Sequence, residues 1–182
     1  MPPAIVEHFF SILQRYFINE REELPPIRAE LCSIERLEQH AEKLAADWPI
    51  SRKKRWRRPL LRRVKINGEV LLSVYRSIAR TFLTDRTAVP AVEWLVDNFY
   101  IVQEQLREIR EDLPPGYYRE LPTLVHGPFA GFPRIYALAW TFVSNTDSRL
   151  DPEWLRRFLK AYQRKAPLDI GEIWAFSISL RI

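Results

Sequence analysis

The chain has few cysteines and histidines, and each shortage excludes a class of protein. A single cysteine, Cys32, excludes an intramolecular disulfide among the 182 residues and fits a reducing compartment. The three histidines, His8, His40 and His126, are scattered, and none stands at metal-ligand spacing from another or from Cys32. The sequence therefore predicts neither a disulfide-stabilised scaffold nor a metal site.

Long apolar runs are also missing. No window approaches the roughly 20 apolar residues of a transmembrane helix, and the first residues lack the pattern of a signal peptide. In contrast, aromatic residues are plentiful, with six Trp, seven Tyr and ten Phe against five Gly, which indicates a bulky interior. The composition is ordinary for a globular chain, so we expect one domain over residues 1–182.

Catalytic motifs are missing as well. Gly127 and Gly131 lack the following Lys-Ser/Thr and the strand–loop–helix context of a phosphate-binding loop. No GxSxG sequence occurs, and Cys32 has no evident base, so nucleophilic catalysis is not indicated. The carboxylates between Glu104 and Asp112 stand among arginines, which is typical of a solvated helix face. We therefore expect no catalytic residue, no cofactor-binding residue and no cofactor in this chain.

Apolar residues recur at three-and-four spacing along most of the chain, which is typical of helices with one buried face. The pattern predicts helices over 2–17, 33–47, 59–83, 90–113 and 134–143, and two more that begin at Asp151 and Asp169. A Pro/Gly loop, HGPFAGFP, is expected between the fourth helix and the next, with Phe129 and Phe132 packed inward. The fold class is therefore all-α, a bundle-like domain of six or seven helices.

Three places leave the local structure open. Gly68 weakens the third helix by about 1 kcal/mol, so a kink there is an alternative. Pro114 and Pro115 end the fourth helix, Gly116 permits a reversal, and a short turn is expected over 117–119. The last segment alternates apolar and small or polar residues as a strand would, but Asp169 followed by a glutamate three residues on is a capping-box start that favours a helix.

One segment carries all the excess positive charge. Nine basic residues and no acidic residue lie from Arg52 to Lys65, and the rest of the chain has 19 basic against 23 acidic residues. Three interpretations stay open: an anionic membrane surface, nucleic-acid phosphates, or a solvated loop with no partner. Because no base-reading module accompanies the segment, nucleic acid is the less favoured partner. The candidate contact residues for an anionic surface are Arg52, Lys53, Lys54, Arg55, Trp56, Arg57 and Arg58.

Two long strings carry a resemblance to a known family. They are VEWLVDNFYIVQEQLREIREDLPPGYYRELP and GPFAGFPRIYALAWTFVSNTDSRLDPEWLRRFLKAYQRKAPLDIGEIWAFSISLRI. Both resemble the N-terminal region of cyclic β-1,2-glucan synthases, in which the run QLREIREDLPPGYYRELP is characteristic. Weaker similarity through SIERLEQHAEKLAADW and RRPLLRRVKINGEVLL extends the resemblance over roughly Leu31 to Ile182.

The resemblance implies a fragment of a very large bacterial membrane glycosyltransferase, which builds cyclic β-1,2-glucan from UDP-glucose and carries a phosphorylase-like module. The aspartate motifs and the QxxRW motif of such synthases do not occur in this chain, so no catalytic residue is carried over. An accessory or scaffold role is implied instead, on the cytoplasmic face of the inner membrane. The remainder of the synthase polypeptide or another protein chain is the expected partner. A standalone protein-interaction module, or one that binds an anionic membrane surface, is the alternative.

A second candidate site follows from the glucan product. Tyr117, Tyr118 and Arg119 come directly after a helix end, so we expect the two tyrosines to be partly exposed, where they could contact glucan or a neighbouring domain. Trp140 and Trp154 could also stack on sugar rings, but both are explained more simply as core aromatics.

Overall fold

The structure is a computed structural model that describes residues 31–52, 57–84 and 90–182, with residues 81–84 and 90–92 described by their backbone alone. The predicted helix over 2–17 lies outside these residues. Seven helices fall within them and confirm the all-α fold class. They are α1 (Ile34–Asp47), α2 (Leu60–Thr84), α3 (Pro90–Asp112), α4 (Pro115–Glu120), α5 (Arg134–Thr146), α6 (Pro152–Gln163) and α7 (Ile170–Ser179).

The described residues group into two compact units. The first contains Pro59–Glu111, which includes α2 and nearly all of α3. The second combines residues 31–52 and 57–58 with Asp112–Ile182. The single domain over 1–182 stays a prediction.

Within the first unit, α2 and α3 approach each other closely. The rings of Tyr75 and Phe99 stack with centroids 4.1 Å apart. Gly68 lies inside α2, which continues through it. A Cβ at this position would lie 2.9 Å from the Cδ1 of Leu106, which is closer than real Cβ contacts. The missing side chain of Gly68 therefore leaves room for Leu106 of α3.

Within the second unit, α5 is the central element. Every residue of α5 except Trp140 and Val143 is buried, as its apolar sequence predicts. It runs three residues beyond the predicted end and stops at Asp147, whose left-handed backbone (φ 50°) turns the chain.

Two further helix pairs complete the second unit. The rings of Phe142 on α5 and Phe158 on α6 lie 5.6 Å apart. α1 packs against α6, and Arg157 donates two hydrogen bonds, of 2.8 and 2.9 Å, to the carboxylate of Glu38. Arg164, which directly follows α6, forms an ion pair with Glu42, one turn beyond Glu38 on α1. Paired charges therefore border the α1–α6 contact.

Local sequence signals place the helix starts correctly. The Ser33 hydroxyl accepts the N–H of Arg36 at the start of α1. Asp151 accepts the N–H groups of residues 153 and 154, and Pro152 takes the first helical position of α6. The capping box at Asp169 is present, and the last segment is the helix α7 rather than a strand.

The segment after α3 differs from prediction. Pro114 does end α3, but Pro115 then begins the helix α4, where its missing N–H costs no hydrogen bond. Gly116 is helical and has no positive φ, so it makes no reversal. Residues 117–119 lie inside α4, and the expected short turn was wrong.

The Pro/Gly loop is held by a small antiparallel ribbon that the sequence did not predict. Strand β1 (Ile50–Ser51) pairs with strand β2 (Thr123–Leu124). Gly127 and Gly131 have φ near +82° and +83°, a conformation that other residues rarely adopt. Phe129 and Phe132 are buried, as predicted.

Candidate interaction site around the basic segment

The start of the basic segment is attached to the N-terminus of α7. Arg52, which directly follows β1, donates a hydrogen bond of 2.7 Å from Nη2 to Oδ2 of Asp169. Asp169 is the N-cap residue of α7. This hydrogen bond and the positive charge of Arg52 lower the pKa of the Asp169 carboxyl. Both side chains are exposed, so the ion pair positions the segment more than it stabilises the fold.

Replacing Arg52 with alanine is expected to raise the pKa of Asp169 toward its ordinary value. A carboxyl whose pKa is lowered by folding contributes stability above its unfolded pKa and loses it as the pH falls through the folded pKa. A carboxyl NMR titration of Asp169 measures the shift, and Arg36→Ala on α1 serves as the control. If Asp169 titrates identically in both variants, the Arg52 contact does not persist in solution.

A second residue of the basic segment, Arg57, is attached to α4. Arg57 donates from Nη1 to the carbonyl oxygens of Tyr118 (3.0 Å) and Leu121 (2.8 Å). Carbonyls at a helix C-terminus have no partner within the helix, and a cation is favourable there. Arg57 therefore caps a helix that is only six residues long.

Arg58 is engaged through its backbone and its side chain. Its N–H donates to the carbonyl of Gly131 (3.0 Å), and its carbonyl accepts the Tyr118 hydroxyl (2.7 Å). The guanidinium carbon lies 5.1 Å from the ring centroid of Phe132, within cation–π range. These contacts fix the chain between α4 and the Pro/Gly loop.

Replacing Arg57 with methionine is expected to lower the free energy of unfolding by about 2 kcal/mol, since two carbonyls lose a charged donor. Urea denaturation followed by circular dichroism measures the loss. Arg119→Met, an exposed position on the same helix α4, should change stability by less than about 0.5 kcal/mol. Equal losses in the two variants would contradict the capping role of Arg57.

The structure describes only some of the residues that were predicted to contact an anionic surface. Arg52, Arg57 and Arg58 all make contacts within the second unit, whereas Lys53, Lys54, Arg55 and Trp56 lie outside the described residues. Charge patterning could not reveal this division, because the carbonyls that Arg57 binds are more than 60 residues away.

The residues of the second candidate site, Tyr117, Tyr118 and Arg119, differ in their exposure. Tyr118 is buried, so its expected exposure was wrong, and it presents no ring to a glucan. Tyr117 is half-buried, its hydroxyl donates to the Gly171 carbonyl, and burial raises its pKa. Arg119 is exposed. Trp140 is half-buried and packs edge-on against Phe129.

Sequence reasoning missed a buried ion pair. Arg134 donates to both carboxylate oxygens of Glu172, at 2.5 and 2.6 Å, and to the Pro167 carbonyl at 2.8 Å. Burial alone would lower the pKa of Arg134, but the Glu172 carboxylate outweighs it and the pKa is raised. The lone arginine before the apolar run IYALAW was the available signal, because a charge at the edge of a buried helix needs a partner.

The same ion pair lies beside a buried tyrosine. The guanidinium carbon of Arg134 is 6.0 Å from the ring centroid of Tyr162, and burial raises the pKa of the Tyr162 phenol. Glu172 also accepts the backbone N–H of Asp169 (3.0 Å). This carboxylate is fully used in joining α5 to the start of α7, which is a structural role rather than acid–base chemistry.

Two features are absent from the described residues. Among them, no three His, Cys, Asp or Glu side chains are grouped so that they could hold a metal ion. Over the same residues, none of the helices is both long enough and apolar enough to cross a membrane. The polar contacts instead bind segments of the chain to one another.

Comparison with known proteins confirms the resemblance seen in the sequence. No family model matches the chain. Over 116 residues, which are 63% of this chain, it is 40% identical to the cyclic beta-(1,2)-glucan synthase NdvB of Rhizobium meliloti (strain 1021). The aligned part covers 4% of that relative, so the chain corresponds to a small portion of a far longer protein.

Proposed function

We propose that the chain is an accessory N-terminal helical region of a cyclic β-1,2-glucan synthase-like glycosyltransferase and acts as a scaffold at the cytoplasmic face of the inner membrane. The 40% identity to a synthase over 116 residues carries the proposal. The site supports it, because Arg57, Arg134 and Glu172 all join segments of the second unit.

A chimeric synthase tests this role. In the Rhizobium meliloti relative, the aligned segment would be deleted in one variant and replaced by the matching residues of this chain in another. Formation of β-1,2-glucan from UDP-glucose would be measured in membrane preparations, with synthase levels checked by immunoblot. We expect little activity after deletion and substantial activity in the chimera.

Two results would contradict the proposal. Full activity in the deletion variant would show that the segment is dispensable. Glucan formation by this chain alone, without any synthase, would show that it is itself catalytic. The remainder of the synthase polypeptide is the partner that this design supplies.

Binding to an anionic membrane surface is a second candidate function. The sequence supports this candidate, because Lys53, Lys54 and Arg55 add three cations between Arg52 and Arg57 and no acidic residue lies among them. Each Lys or Arg near an anionic surface contributes about 1 kcal/mol of binding free energy.

The variant that tests this function replaces Lys53, Lys54 and Arg55 with alanine, because replacing Arg57 or Arg58 would also disturb the fold. Sedimentation with anionic vesicles should fall in this variant and at high salt, and salt-insensitive binding would exclude the basic segment as the contact.

A further inference from the structure

The helix α4 depends on residues outside it. It has six residues, whereas isolated helices shorter than about 12 residues are marginal in water. Its N-cap residue is Pro114, whose ring offers no hydrogen-bond acceptor to the first turn. The local sequence therefore does not hold α4 in its helical form, and contacts with the rest of the second unit supply that stability.

One set of these contacts joins α4 to residues 57 and 58 of the basic segment. Arg57 donates to the carbonyl oxygens of Tyr118 and Leu121, which stabilises the end of the helix. In return, the Tyr118 hydroxyl donates to the carbonyl oxygen of Arg58. Tyr118 is 7% exposed, so water competes little for these hydrogen bonds.

The second set joins α4 to the first turn of α7. The Tyr117 hydroxyl donates to the carbonyl oxygen of Gly171. Gly171 lies between Asp169 and Glu172, the two residues of the capping box. Because successive residues of a helix point about 100° apart, Tyr117 and Tyr118 reach different neighbours from adjacent positions. The helix α4 thus connects two segments that are far apart in the chain.

We propose that α4 couples these two sets of contacts, so that loss of the Arg57 contacts unwinds α4 and releases the Tyr117 hydroxyl from Gly171. The helical and unwound forms of α4 are the two states, and both sets of contacts favour the helical form. By thermodynamic linkage the coupling acts in both directions. A partner that displaces Arg57 from α4 therefore alters the start of α7 without touching it.

A double-mutant cycle tests the coupling. Arg57→Met removes the charged donor, and Tyr117→Phe removes only a hydroxyl. In the unchanged chain, Tyr117→Phe is expected to lower the equilibrium constant for folding about fivefold, because one hydrogen bond is lost. In the Arg57→Met background the same substitution should change that constant less than about twofold, because the hydroxyl has already lost its partner. Urea denaturation followed by circular dichroism measures all four proteins.

Ser33→Ala provides the matched control background. The Ser33 hydroxyl caps α1 through the N–H of Arg36, and α1 takes no part in either set of contacts. Tyr117→Phe should therefore keep its full effect on the folding equilibrium in this background.

A second readout follows the native state directly. The carbonyl ¹³C chemical shift of Gly171 reports the hydrogen bond from Tyr117, so Tyr117→Phe should change it. We expect Arg57→Met to move this shift in the same direction, and Arg119→Met to leave it unchanged. Tyr118→Phe, which removes the hydrogen bond to Arg58 without a change of charge, should act as Arg57→Met does.

These variants should still fold, because the buried ion pair of Arg134 with Glu172 holds the start of α7 independently of α4. Additive effects of Arg57→Met and Tyr117→Phe would overturn the inference, since they would show two independent attachments. An unchanged Gly171 shift in Arg57→Met or in Tyr118→Phe would overturn it as well. The coupling is a property of the second unit alone, so these outcomes are independent of the chimera experiment.

Discussion

Replacing Glu172 with alanine is expected to lower the free energy of unfolding by about 3–5 kcal/mol, because it leaves the buried guanidinium of Arg134 without its counter-charge. Burial of both side chains makes the effect large: Arg134 is 4% exposed and Glu172 is 1% exposed. The substitution also removes the acceptor for the Asp169 N–H at the start of α7. Urea denaturation followed by circular dichroism measures the loss.

Two further variants show whether burial is the cause. Glu153→Ala breaks the exposed pair between Glu153 and Arg156 on α6 and should cost clearly less than Glu172→Ala, because water screens the exposed charges. The double substitution Arg134→Met/Glu172→Leu should recover much of the loss, because apolar residues of similar volume often replace a buried ion pair without penalty. A loss in Glu172→Ala no larger than that in Glu153→Ala would mean that water reaches the Arg134 site.

Replacing Phe158 with alanine is expected to cost about 3–5 kcal/mol, since it leaves a cavity beside the central helix α5. Phe158 is fully buried and its ring lies 5.6 Å from that of Phe142. It stands on α6, which also packs against α1, so the cavity would weaken the contacts of α6 with α5 and with α1. The same denaturation experiment measures the effect.

A graded series distinguishes cavity formation from loss of an aromatic contact. Phe158→Leu retains most of the volume and should cost clearly less than Phe158→Ala. If Phe158→Ala and Phe158→Leu were equally destabilising, the contact between the rings of Phe158 and Phe142 would stabilise the unit more than the packed volume of Phe158 does.

The predictions that succeeded rest on local rules. Ser33, Asp151 and Asp169 begin helices because their side chains accept N–H groups one turn away, within the same short stretch. The run IYALAW is apolar on every side and becomes the buried centre of the second unit. The resemblance to cyclic β-1,2-glucan synthases also depends only on the order of residues, and comparison confirms it.

The predictions that failed concern short segments and side chains with distant partners. Tyr118 was expected to be partly exposed because it follows a helix end, but it is buried and its hydroxyl donates to the carbonyl of Arg58, 60 residues earlier in the chain. The helix α4 has six residues, which is too short for helix propensity alone to stabilise it. Its C-terminal carbonyls are bound by Arg57, a distant residue that local sequence patterns do not connect to it. The exposure of Trp174 likewise depends on which face of α7 meets α5.

The sequence by itself determined the all-α class, most helix boundaries and the resemblance to a synthase, because these depend on interactions within a few residues or on the string alone. Only the tertiary structure decided that Arg57 and Arg58 contact α4 and the Pro/Gly loop, that Glu172 neutralises Arg134, and that α7 exposes Ile170 and Trp174. Those outcomes arise from contacts between residues that are far apart in the chain, and their energies depend on burial that no local pattern records.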